Sequence, residues 1–79
     1  SSAVVRLGEV FRDAVREGCP NIIAVHNHPS GDPSPSAEDA ALTKLMVEAG
    51  KLLGVELIDH IVIARRGFVS LRDRKMGFP

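Results

Sequence analysis

A chain of 79 residues with 44% hydrophobic content suffices for one small domain and lies near the lower limit of what folds unaided. Ten basic and ten acidic residues cancel, which argues against the basic field of a stand-alone nucleic-acid binder, and three Phe with no Trp and no Tyr argue against an aromatic base-stacking surface. The single cysteine, Cys19, excludes an internal disulfide, and no apolar run reaches membrane-spanning length. No secretory signal pattern is visible, so the expected location is cytoplasmic. A domain this small is expected to be steadied by a metal, a partner subunit or further sequence. Further sequence is the favoured expectation, and a homo-oligomer stays open.

Ser1 to Arg6 read as the end of a strand or an extended lead-in. Leu7, Val10, Phe11, Ala14 and Val15 then recur at helical spacing, with Arg6, Glu9, Asp13, Arg16 and Glu17 opposite them. Gly18 and Pro20 stop this helix, predicted over Leu7 to Glu17. Ile22-Ile23-Ala24-Val25 runs into His26 without alternation, the pattern of a strand buried on both faces. Pro29 to Pro35 holds three prolines and Gly31, and predicts a stiff loop.

Ser36 opens a second helix, with Leu42, Leu45, Met46, Ala49, Leu52 and Leu53 as its apolar stripe and Gly54 as its cap. Gly50 inside it costs up to ~1 kcal/mol relative to alanine, which points to close packing there. Val55 to Ala64 reads as a strand, Arg65-Arg66-Gly67 as a hairpin connection and Phe68 to Leu71 as the returning strand. Arg72 to Pro79 reads as a frayed tail. The order helix, strand, helix, strand, strand is an α/β layer structure, and a strand–helix–strand unit favours a parallel crossover.

The chemistry gathers between His26 and Asp39. Residues i and i+2 of an extended segment point to the same side, so His26 and His28 project together while Asn27 points away. Ser36 and Asp39 match an N-cap serine with an acidic residue in the first turn, which is sufficient reason for both. Asp39 can cap and ligate at once. Imidazole and carboxylate suit zinc, and three protein ligands leave a fourth tetrahedral position open.

His26-x-His28-Pro29, six residues, Ser36, two residues and Asp39 resemble the JAMM motif of the MPN metalloproteases. The longer string from His26 to Asp39, together with Leu57-Ile58-Asp59-His60-Ile61-Val62-Ile63, resembles the bacterial RadC family within that group, over about Leu7 to Leu71. The resemblance implies a small mixed sheet packed with helices, MPN/JAB-like with cytidine-deaminase-like layering, as one domain over 1–79. It implies zinc held by His26, His28 and Asp39, with Ser36 hydrogen-bonding to the oxyanion or the activated water. The implied reaction is hydrolysis of a peptide or isopeptide bond in a peptide or protein substrate. The zinc deaminase signature, H-x-E with a later P-C-x-x-C, is absent.

The JAMM pattern also requires an upstream glutamate as general base, and 25 residues precede His26. Glu9 and Glu17 fall on the polar face of the first helix, and Glu38 at N2 is expected to point away from Asp39. The chain is therefore expected to be an N-terminally truncated fragment that binds one divalent metal yet hydrolyses little. Two other functions compete: an MPN-fold binding module without turnover, and the DNA-repair role attached to the RadC name, which zero net charge supports weakly. His60 is expected to be a satisfied structural residue and Cys19 a packing residue. Arg65, Arg66, Arg72, Arg74 and Lys75 are expected to be solvated.

Overall fold

The computed structural model describes residues 5–79; most of the predicted lead-in, residues 1–4, lies outside them. Helix α1 (Leu7–Glu17), strand β1 (Asn21–Asn27), helix α2 (Ala37–Leu53) and strands β2 (Glu56–Ala64) and β3 (Gly67–Ser70) follow in the predicted order. The sheet is mixed, with strand order β1-β2-β3. β1 and β2 are parallel across the α2 crossover, and β2 and β3 form an antiparallel hairpin turning through Arg65 and Arg66.

Both helices pack on one face of this sheet, where Phe11, Ala14, Met46, Val55 and Leu57 form the core against Ile22 and Ala24. β1 is therefore not buried on both faces as its unbroken apolar run predicts. Ile23 and Val25 are 57% and 54% exposed, because among the described residues nothing covers the opposite face and β1 is an edge strand. Val15 is also exposed. It lies about 90° around α1 from the centre of the stripe made by Leu7, Val10, Phe11 and Ala14, at 100° per residue.

The core face of α2 differs from the predicted stripe. Thr43, Met46 and Gly50 are buried, while Leu45, Leu52 and Leu53 face solvent. Core positions on this helix reward fit rather than hydrophobicity. A Cβ on Gly50 would collide with the Val55 carbonyl, and Val55 N–H donates to the Gly50 carbonyl at 2.9 Å, so the glycine lets the chain turn tightly into β2.

The predicted frayed tail is instead packed. Phe78 lies against the core, and Met76 N–H donates to the carbonyl of the fully buried Leu71 at 2.9 Å. Asp59 holds this segment: its carboxylate accepts from Ser70 Oγ at 2.6 Å and from Arg72 N–H at 3.2 Å. Arg72 in turn donates to the Ile58 carbonyl at 2.7 Å and stacks over the Phe78 ring. Cys19 is exposed rather than packed, since it follows the left-handed Gly18 out of α1. The arginines of the hairpin and Arg72, Arg74 and Lys75 are exposed, as expected.

Candidate metal centre

The ligand loop leaves the end of β1 tethered to the neighbouring hairpin at two points. His28 N–H donates to the Ile63 carbonyl at 2.9 Å, extending the sheet one residue beyond the strand, and Arg66 N–H donates to the Gly31 carbonyl at 3.2 Å. The β2–β3 hairpin thus carries the loop that follows the histidines. Asp32 shapes its next turn by accepting Ser34 N–H at 2.9 Å, and that bond is the chief reason its carboxyl titrates below the usual range.

The loop delivers the chain to Ser36, the N-cap of α2. Ser36 Oγ accepts Asp39 N–H at 3.1 Å and Asp39 Oδ2 accepts Ser36 N–H at 2.8 Å, a reciprocal capping box. This pins the Asp39 side chain beside the histidines. His26 Nε2 lies 3.2 Å from Asp39 Oδ1 and His28 Nε2 lies 3.1 Å from Asp39 Oδ2. Burial alone would raise the Asp39 pKa, but the hydrogen bonds from Ser36 outweigh it, helped by the two imidazoles, and hold the carboxyl below its ordinary value.

Three donor atoms from His26, His28 and Asp39 lie within 4.8 Å of one another, the only such group among the described residues. Their chemistry fits a divalent cation. His28 Nδ1 is 3.1 Å from the Asp32 carbonyl oxygen, which can only accept, so Nδ1 carries a ring proton, and in the neutral ring that leaves a lone pair at Nε2. A neutral imidazole lone pair facing a carboxylate oxygen is unfavourable unless a cation lies between them. His26, His28 and Asp39 border a cleft of about 800 Å³ together with Glu38, Leu42 and His60. Glu38 was expected to point away from Asp39; it is exposed but lines the same cleft. Ser36 caps the helix outside the cleft lining.

Sequence reasoning left one residue out of the site. His60 is 2% exposed, with its Nε2 at 2.8 Å from His26 Nδ1 and its Nδ1 at 2.6 Å from Thr43 Oγ1. It is satisfied, as expected, but its partner is a candidate ligand. The register explains the contact: His60 pairs with Ala24, two residues before His26, so both rings project from the helix-covered face. That register passes through an irregularity between Ile22 and Ile23, which pair with Leu57 and Asp59 and skip Ile58. Burial, then the neighbouring His26, lower the His60 pKa and favour its neutral form.

The RadC-like JAB domain family matches residues 1–76. The chain belongs to that family. Among its relatives is a UPF0758 protein of Roseiflexus castenholzii, 51% identical over 78 residues, covering 99% of this chain and 34% of the relative. A UPF0758 protein of Chloroflexus aurantiacus is 54% identical over the same length and share. One from Bacillus cereus is 49% identical over 74 residues, 94% of this chain and 33% of the relative. This RadC-type JAB chain thus spans about a third of the length of the curated relatives it matches. Its α/β layering and mixed sheet agree with the fold that the resemblance implied. Among the described residues no helix is long and apolar enough to cross a membrane.

Proposed function

We propose that His26, His28 and Asp39 hold one zinc ion, and that the whole protein uses it to hydrolyse peptide or isopeptide bonds. The observation that supports this best is the convergence of two imidazole Nε2 atoms on the two oxygens of one buried-side carboxylate, at 3.2 and 3.1 Å. Bound zinc lowers the pKa of a coordinated water toward ~7 and polarises a substrate carbonyl. The chain's own part is to hold and orient. The Asp32 carbonyl sets the His28 ring, and the capping box sets Asp39. Ser36, which caps α2, takes the role that the family resemblance implies for its hydroxyl, a hydrogen bond to the developing oxyanion or the activated water. A substrate would enter the cleft that the three ligands border.

Hydrolysis also needs a group that takes a proton and returns it to the leaving nitrogen, a contribution typically of ~10²–10⁴-fold. Asp39 is engaged by Ser36 and the two histidines. Glu38 is the other carboxylate at the cleft. In this reading the base is the upstream glutamate that the family resemblance implies, and it belongs to the whole protein. Zinc content and cleavage of peptide and isopeptide substrates, measured side by side on the 79-residue chain and a full-length relative, test it. One zinc per chain in both, with the longer protein at least ~10²-fold faster, is expected. No zinc in either would refute the metal assignment. Equal activity would place the base within this chain, and Glu38→Gln would then abolish it.

A further inference from the structure

We infer that Thr43 and His60 are positioning residues of the metal site, forming a one-directional hydrogen-bond relay that aims the His26 Nε2 lone pair at Asp39. The inference rests on the zinc reading above and adds to it the means by which one ligand is oriented.

The direction follows from the end of the chain of contacts. Thr43 Oγ1 lies 2.7 Å from the Asp39 carbonyl oxygen, one turn earlier in α2. A carbonyl can only accept, so the single hydroxyl proton of Thr43 is spent there. Thr43 Oγ1 also lies 2.6 Å from His60 Nδ1 and has no second proton to offer, so His60 Nδ1 must be the donor. A neutral His60 protonated at Nδ1 has a lone pair at Nε2. His26 Nδ1, 2.8 Å from that lone pair, must therefore carry its own ring proton. In the neutral ring His26 Nε2 is then the bare nitrogen, and it is the atom that faces Asp39 Oδ1 at 3.2 Å.

The reverse direction fails on the same distances. A proton moved from Thr43 toward His60 would leave two oxygen lone pairs opposed at 2.7 Å with Thr43 wholly buried. Water has no access to repair that contact, since Thr43 is 0% and His60 2% exposed. Among the described residues no buried side-chain polar atom lacks a partner, so the relay is complete. Asp39 stands at both ends of it, with its carboxylate among the candidate ligands and its carbonyl as the terminal acceptor. Outer partners of this kind fix the tautomer of a ligating histidine, and their loss typically costs ~10–100-fold in metal affinity.

Long-range nitrogen–proton NMR of the histidine rings reads the tautomers directly, in metal-free and zinc-loaded wild-type protein above the ordinary histidine range. The expected pattern is His60 and His26 both protonated at Nδ1 and bare at Nε2. Chelator competition then measures zinc affinity in Thr43→Val, which keeps the shape and removes the hydroxyl, and in Thr43→Ser, which keeps the hydroxyl. Thr43→Val should lose ~10–100-fold, and Thr43→Ser should stay within about 3-fold of wild type. Zinc-loaded wild type with His60 protonated at Nε2 would overturn the relay while leaving the zinc reading intact. Folded Thr43→Val with wild-type affinity would do the same. Wild type that holds no zinc would overturn the zinc reading and, with it, the purpose assigned to the relay. The tautomers in wild-type protein decide the direction even if Thr43→Val fails to fold.

Discussion

His26 and His28 leave the same strand two residues apart, yet they are held from opposite directions. His28 is set by its own loop, through the carbonyl of Asp32 four residues on. His26 is set from the core, through His60, 34 residues away, and Thr43 behind it. One ligand is thus oriented by local chain geometry and the other by the completed tertiary structure. Damage to the loop should therefore reach the metal through His28 and the capped Asp39, whereas loosening of the α2–sheet contact should reach it through His26.

Removing the group that both histidines share should have the largest effect. Asp39→Ala deletes the carboxylate facing each Nε2 and should lower zinc affinity by more than ~100-fold, beyond the usual effect of an outer partner. Chelator competition measures it, and equal retention by the variant would separate the two histidines from any common metal. The core-held side is tested next by Gly77→Ala. A Cβ there would lie 2.6 Å from both Thr43 Cβ and the Ala40 carbonyl, at a φ of 84° that disfavours a side chain. Urea unfolding should show a loss of ~1–3 kcal/mol, with weaker zinc binding because Thr43 must shift. A smaller effect belongs to the helix cap. Ser36→Ala should cost ~1 kcal/mol in metal-free protein, and an unchanged urea midpoint would mean that the cap bond contributes nothing. The smallest belongs to the loop-held side. Asp32→Asn keeps both the main-chain acceptor of His28 and the turn to Ser34, so stability and zinc affinity should each move by no more than ~0.5 kcal/mol.

The same division between local and long-range causes explains what could be read from the residues alone. The spacing of His26 and His28 follows from strand period, and the placing of Asp39 follows from the cap at Ser36. Both are properties of a few consecutive residues, so the candidate triad was legible. The helix and strand order was legible for the same reason, through Gly18, Gly54 and the prolines of the loop. Contacts between distant segments were not. His60 reaches His26 only because the β1–β2 register skips Ile58. The close packing at Gly50 was legible, but the rest of the core face of α2 was misjudged because Thr43 occupies it for hydrogen bonding, which hydrophobic periodicity ignores. The C-terminal segment was taken for a frayed tail because its anchor is Asp59, whose bonds to Ser70 and Arg72 depend on the hairpin being formed. β1 looked doubly buried because an apolar run does not say how many faces are covered.

The central claim is that His26, His28 and Asp39 bind one metal through two Nε2 atoms and a carboxylate oxygen, and X-ray absorption on the zinc-loaded chain tests it most directly. The predicted spectrum contains two imidazoles and oxygen scatterers, all at roughly 2.0–2.2 Å, with no sulfur. A zinc–sulfur distance near ~2.3 Å would place the ion on the exposed Cys19 instead, and that result, or a single imidazole, would contradict the account.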